Sequence, residues 1–194
     1  MTITLEKNKP ITLTKANPGI RKALVGLGWN PRTTAGVTFD LDASAFVLKN
    51  DGTAMDLKDV VFYSNLTHAS GAVQHKGDNR NGQGDGDDEQ ILIDLDKVPA
   101  NVDRIVFVVS IDDAVARQQR FGQVDGAYFR VVNEDTGAEV VKFDLREDAD
   151  REHSILLGEL FREQGGAWQV IARTQGFQEG LAGALTEFGI ALVG

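Results

Sequence analysis

From Val37 the chain alternates strictly. Val37, Phe39 and Leu41 fall on one side of an extended backbone, Thr38, Asp40 and Asp42 on the other, and the apolar Ala45 to Leu48 follows. A period of two is the mark of a half-buried β-strand. The same period returns along most of the sequence. Ile3 and Leu5 alternate with Thr2 and Thr4, Asn8, Lys9 and Pro10 make a turn, and Ile11 and Leu13 alternate again, which predicts an opening hairpin. Lys22 to Leu27 predicts a strand closed by Gly28, Trp29, Asn30 and Pro31, and a turn at Asn50, Asp51 and Gly52 follows the next. Val60 to Tyr63, Val73 to His75 and Ile91 to Leu95 are further strands. Ile105 to Ile111 reads IVFVVSI, an unbroken apolar run expected where a central strand is buried on both faces. Tyr128 to Val132 and Val140 to Leu145 form a hairpin about Asp135, Thr136 and Gly137, and Ile155 to Phe161 and Ala167 to Ala172 form another about Gly165 and Gly166. The period changes in two places. Asp112 or Asp113 is placed to cap a short helix through Arg120, and Phe177, Leu181, Ala184, Leu185 and Phe188 recur at helical spacing, weakened by Gly180 and Gly183. Some ten short strands with close turns predict an all-β fold, an antiparallel β-sandwich with short helical segments, one of them C-terminal.

Composition narrows the function more than the fold. A chain of 194 residues, 42% hydrophobic and 25% charged, is expected to fold as one domain over residues 1–194 around a sizeable core. Its net charge of -9 repels phosphate backbones, so direct nucleic-acid binding is not expected, and cations and basic surfaces suit it better. With no cysteine there is no disulfide, no thiolate zinc site and no thiol redox chemistry. The first residues lack an apolar run of signal-peptide length and nothing approaches a membrane span, so a cytoplasmic location without membrane insertion is expected.

Against this ordinary background one stretch stands apart: GDNRNGQGDGDDE, Gly77 to Glu89. Asp78, Asp85, Asp87, Asp88 and Glu89 face a single Arg80, with Gly82, Gly84 and Gly86 interspersed and no apolar residue to bury. Such a segment either stays disordered or is drawn into one shape by a cation. Two carboxylates about 6 Å apart repel by roughly 3 kcal/mol at an effective dielectric of about 20. Hard oxygen donors select a hard ion, calcium first. The loop is not an EF-hand, because counting from Asp78 puts Arg80 third, Gly82 fifth and Gln83 sixth. Asp40 and Asp42, at i and i+2 of an extended segment, lie roughly 7 Å apart on one face and either share a cation or form a solvated strand face. His68 and His75 lack a third zinc ligand and read as surface histidines. Trp29 and Trp168 read as core or edge packing rather than as ligand platforms. No nucleophile elbow, phosphate-binding loop or dinucleotide fingerprint is present, so an enzyme is the minority reading.

Longer motifs carry a resemblance. GLGWNPR at 26–32, FDLDASAF at 39–46, VFYSNL at 61–66, GDNRNGQGDGDDE at 77–89 and FGQVDGAYFRVVN at 121–133 are similar to the TerD-type family of tellurium-resistance and stress proteins, over essentially the whole chain. Where that family usually carries Thr this chain has Asn81. The resemblance implies a bacterial β-sandwich that binds two calcium ions at adjacent sites built from the FDLD strand and the acidic loop. The ligands it implies are Asp40, Asp42, Asp78, Asn79, Asp85, Asp87, Asp88 and Glu89, with the carbonyls of Gly82 and Gly84. It further implies a cytoplasmic role in tolerance to tellurite and other stress as a metal-dependent binding or scaffold module, with protein partners that include a membrane-associated stress complex. A calcium-dependent hydrolase using the loop carboxylates is the alternative.

Overall fold

The computed structural model describes residues 2–30, 36–54, 56–77, 86–145, 151–163 and 166–190. Alternation along the strands sorts their side chains into two layers of core. One sheet, here sheet A, runs in the order β1 (Ile3–Thr4), β10 (Ala138–Asp144), β9 (Tyr128–Asn133), β3 (Lys22–Gly28), β7 (Glu89–Asp94), β6 (Val73–His75). Sheet B runs β2 (Ile11–Thr12), β12 (Trp168–Phe177), β11 (Ser154–Arg162), β8 (Val102–Ile111), β4 (Leu41–Lys49), β5 (Val60–Val61). Leu41, Ala43, Ala45 and Val47 of β4 and Ile105, Phe107, Val109 and Ile111 of β8 point into the space between the sheets. There they join Val25, Leu27, Ile91, Ile93, Phe129 and Val131 of sheet A. Each Val, Leu, Ile or Phe side chain so removed from water contributes about 2 kcal/mol.

The intervening residues face the other way and are also buried. Phe46, Leu48, Val106, Val108 and Leu156 form a second core on the outer face of sheet B, covered by Ala184 and Leu185 of helix α3 (Leu181–Glu187) with Phe177 and Ile190. That double burial explains the unbroken apolar run in β8, the central strand between β11 and β4. The weak C-terminal helical pattern survives because α3 is held by this tertiary packing rather than by propensity.

Three expectations need correction. The opening residues are not a hairpin: Asn8, at a φ of 62°, turns the chain, after which β1 pairs in parallel with β10 and β2 pairs with β12. Each two-residue strand closes an open edge of a different sheet, a choice that the local pattern does not encode. The alternating FDLD strand starts at Leu41 and not at Val37, which is 55% exposed. The helix after β8 shrinks to a single turn, α2 (Ala114–Arg117), because Asp113 and Gln118 bracket it in left-handed conformations at φ 50° and 53°; Asp113 makes no side-chain cap.

Strand direction sets up the site. β3 and β8 end, and β4, β7, β9 and β11 begin, at one and the same end of the sandwich. Asp40, Asp42 and the described ends of the acidic stretch, Gly77 and Gly86 to Glu89, therefore meet there, although more than thirty residues separate Asp42 from Gly77 along the chain.

Candidate metal centre at one end of the sandwich

Asp78, Asn79, Gly82, Gly84 and Asp85 lie outside the described residues. Asp40, Asp42, Asp87, Asp88 and Glu89 are described, and they divide into two kinds.

Glu89 is inside the protein. It opens β7 on the same face as Ile91 and Ile93, and is 1% exposed. Its Oε2 accepts the backbone N–H of Ala43 in β4, on the edge that β5 covers only at Ala45 and Phe46. His75 Nε2 stands 3.4 Å from the same oxygen. Because His75 Nδ1 accepts from the Gly77 N–H at 3.2 Å, the ring proton of the neutral form belongs on Nε2, facing the carboxylate. Glu89 thus ties the downstream stem of the acidic loop to the strand that carries Asp42.

Asp87 is held on the outer face of sheet A, with its side chain 0% exposed. Oδ1 takes Arg130 Nε at 2.7 Å and the Tyr128 hydroxyl at 3.0 Å, and Oδ2 takes Gln90 Nε2 at 3.1 Å. Arg130 reaches on to Glu139 at 3.0 Å. Hydrogen bonding to Asp87 drives the Arg130 guanidinium further into its charged form, and burial followed by the Asp87 charge pushes the Tyr128 hydroxyl up. The carboxylate fits only because β3 has glycine opposite: a Cβ on Gly26 would collide with it, and one on Gly28 with the Tyr128 ring. Tyr128 and Arg130 were not among the expected site residues. Their signal was nonetheless in the sequence, in the paired glycines of GLGWN, which mark a strand that something approaches closely.

Asp88, Asp40 and Asp42 keep a different disposition. Asp88 Oδ2 accepts the Trp29 N–H at 2.9 Å and its own N–H bonds Leu27 O at 2.8 Å, so it is fixed to the end of β3. Burial holds its carboxyl above the usual carboxylate range; the Trp29 bond opposes that, and the Asp87 charge adds to it. A cation beside it would reverse this penalty. Asp40 accepts the Asp112 N–H at 2.9 Å through its backbone and has Arg117 Nη1 3.9 Å from Oδ2. Asp42, opposite Ser110, lines a groove on the outer face of sheet B.

The two expected surface histidines are buried. His68, 8% exposed, bonds Ser70 Oγ at 2.7 Å and faces Asp59 at 3.3 Å, and His75 is 6% exposed. Both sit in a narrow hairpin whose neighbours, Ala72 and Val73, are core residues. Trp29 and Trp168 are each 4% exposed, in the inter-sheet core.

The described donor chemistry at this end suits calcium, since it consists of carboxylates. Asp40, Asp42 and Asp88 fit such a role. Both oxygens of Asp87, and Oε2 of Glu89, accept from protein donors. Among the described residues no three His, Asp or Glu side chains are grouped closely enough to hold an ion.

The TerD domain family matches residues 1–188. Tellurium resistance protein TerD of Serratia marcescens is 50% identical over 190 residues, 98% of each chain. General stress protein 16U of Bacillus subtilis (strain 168) is 46% identical over 191 residues, again 98% of each. The crystal structure of a homologue of the telluride resistance protein from Streptomyces coelicolor superposes with a TM-score of 0.68 at 22% identity, covering 82% of this chain and 91% of that one, a likeness of fold. The chain belongs to the TerD-domain family of tellurium-resistance and stress-response proteins.

Proposed function

We propose that this protein is a calcium-binding module of the bacterial stress response, contributing to tellurite and chemical-stress tolerance by offering a metal-dependent surface to protein partners in the cytoplasm. A single sandwich over residues 1–194 carries this role. Asp40, Asp42 and Asp88, with Asp78, Asn79, Asp85 and the carbonyls of Gly82 and Gly84, supply the oxygen donors for two ions. Asp87 and Glu89 position them. Bound calcium would supply the positive charge that allows so many carboxylates to stand together.

One observation carries this reading: the Glu89 carboxylate accepts the Ala43 N–H, which locks the loop stem to the strand bearing Asp42. A rigid strand beside the loop lowers the ordering cost of binding. None of the relatives named above has the name of an enzyme. No helix among the described residues is long and apolar enough to cross a membrane.

Calorimetric titration tests the joint site. Asp42→Ala should weaken calcium binding at least about tenfold, on the order of 1.4 kcal/mol. Asp51→Ala, in the turn beyond the far end of β4, should leave it unaltered. Wild-type affinity and stoichiometry in Asp42→Ala would sink the joint-site reading.

A further inference from the structure

Beside the metal end, on the outer face of sheet B, lies a groove of about 500 Å³. Asp42, Ser110 and Ile111, at the end of sheet B, line it together with Tyr63, Val115 of α2 and Leu181 at the start of α3. Two of these are conspicuously uncovered. Val115 is 74% exposed and Tyr63 51%, in a chain whose other apolar side chains are mostly packed away. Exposed large apolar groups gathered around one concavity mark an interaction site more strongly than the same groups scattered singly.

The charge lining it is acidic. Asp42, Asp112, Asp113 and Glu179 line the groove and no Lys or Arg does, although Arg117, just behind the lining on α2, pairs with Asp112 at 2.9 Å. A second copy of this chain is a poor occupant, since each copy carries a net charge of -9. An anionic membrane surface is repelled for the same reason. The complement of a groove lined by exposed apolar groups and by carboxylates is a segment that presents apolar side chains between cationic ones. We infer that the groove bounded by Tyr63, Val115 and Leu181 is a docking site for a lysine- or arginine-bearing apolar segment of a partner protein. This deepens the reading of the protein as a binding module, but does not require calcium: the groove is formed by described residues of the sandwich itself.

The probe is a short fluorescein-labelled peptide of alternating leucine and lysine, followed by anisotropy against the full chain in chelator. Saturable binding is expected, weakened by added salt. Tyr63→Ser with Val115→Ser should weaken it about tenfold, and both side chains are exposed enough for the fold to tolerate the change. Asp113→Asn with Glu179→Gln should weaken it several-fold and flatten the salt dependence. Leu66→Ser, an exposed apolar site away from the groove, should change nothing. The inference is overturned by any of three results: no binding of the leucine–lysine peptide, equal binding of a leucine–glutamate peptide, or unchanged affinity in the Tyr63/Val115 double variant. It is also overturned if sedimentation shows a dimer that Val115→Ser dissociates, since the occupant would then be a second copy. Failure of the peptide while calcium still binds in the calorimeter would remove the groove and leave the metal-module reading standing.

Discussion

Asp87 shows how a carboxylate in an acidic run can do structural work. Its two oxygens accept from Arg130, Tyr128 and Gln90, so its charge is neutralised by protein donors rather than left for an ion. Removing one member of a buried pair leaves the other uncompensated, which costs more than the pair's own net contribution. Arg130 is 28% exposed and water softens that cost. Asp87→Ala should therefore destabilise the fold by about 3 kcal/mol in chemical denaturation. Asp87→Asn, which keeps one acceptor, should cost less and leave calcium stoichiometry intact. Loss of an ion in Asp87→Asn with the fold preserved would show that Asp87 is a ligand after all.

At the scale of the element, the decisive unit is the junction of β4 and β7. Glu89 crosses from one sheet to an edge N–H of the other, a connection within the core that no strand ladder supplies. Glu89→Ala would leave the Ala43 N–H unsatisfied, remove the carboxylate that faces His75 and open a void, and should cost on the order of 3 kcal/mol. Glu89→Gln retains an acceptor for Ala43 and should cost about 1 kcal/mol. The pair also separates clamp from ligand: as a clamp, the Gln variant keeps most calcium affinity and the Ala variant does not, whereas a ligand would lose it in both. The junction marks the limit of what the chain reveals by its pattern. Most strands and the double burial of β8 were legible, because alternation is local, whereas the meeting of FDLD with the acidic stretch, made at Glu89 among the described residues, was carried only by the family resemblance. The inward turn of Glu89 was not legible, since five neighbouring acids look alike until strand register assigns each one a side. The start of β4 at Leu41 and the splitting of the N-terminal strands were hidden for a related reason: both depend on which sheet edges lie open.

The molecule as a whole is acidic, with a net charge of -9, which bears first on tellurium itself. An oxyanion meets a chain of net charge -9 with no thiol to trap it, so calorimetry with tellurite should show no micromolar binding. Micromolar binding would place the tolerance function in direct sequestration. Divalent cations are the opposite case, and here the general field must be separated from a specific site. Magnesium and calcium carry the same charge and screen the body equally, but magnesium demands compact octahedral geometry and gives up water reluctantly. Calcium at about 100 times its dissociation constant should add roughly 2.7 kcal/mol. For a chain of this size that is a rise in Tm of roughly 5 to 10 °C. At about 0.15 M salt, where the Debye length is near 8 Å, diffuse attraction is mostly screened and the specific increment remains. Calcium should then raise Tm well above magnesium, and Asp42→Ala should lose most of the difference. Equal melting temperatures in calcium, magnesium and chelator would mean that the acidic end holds no selective site.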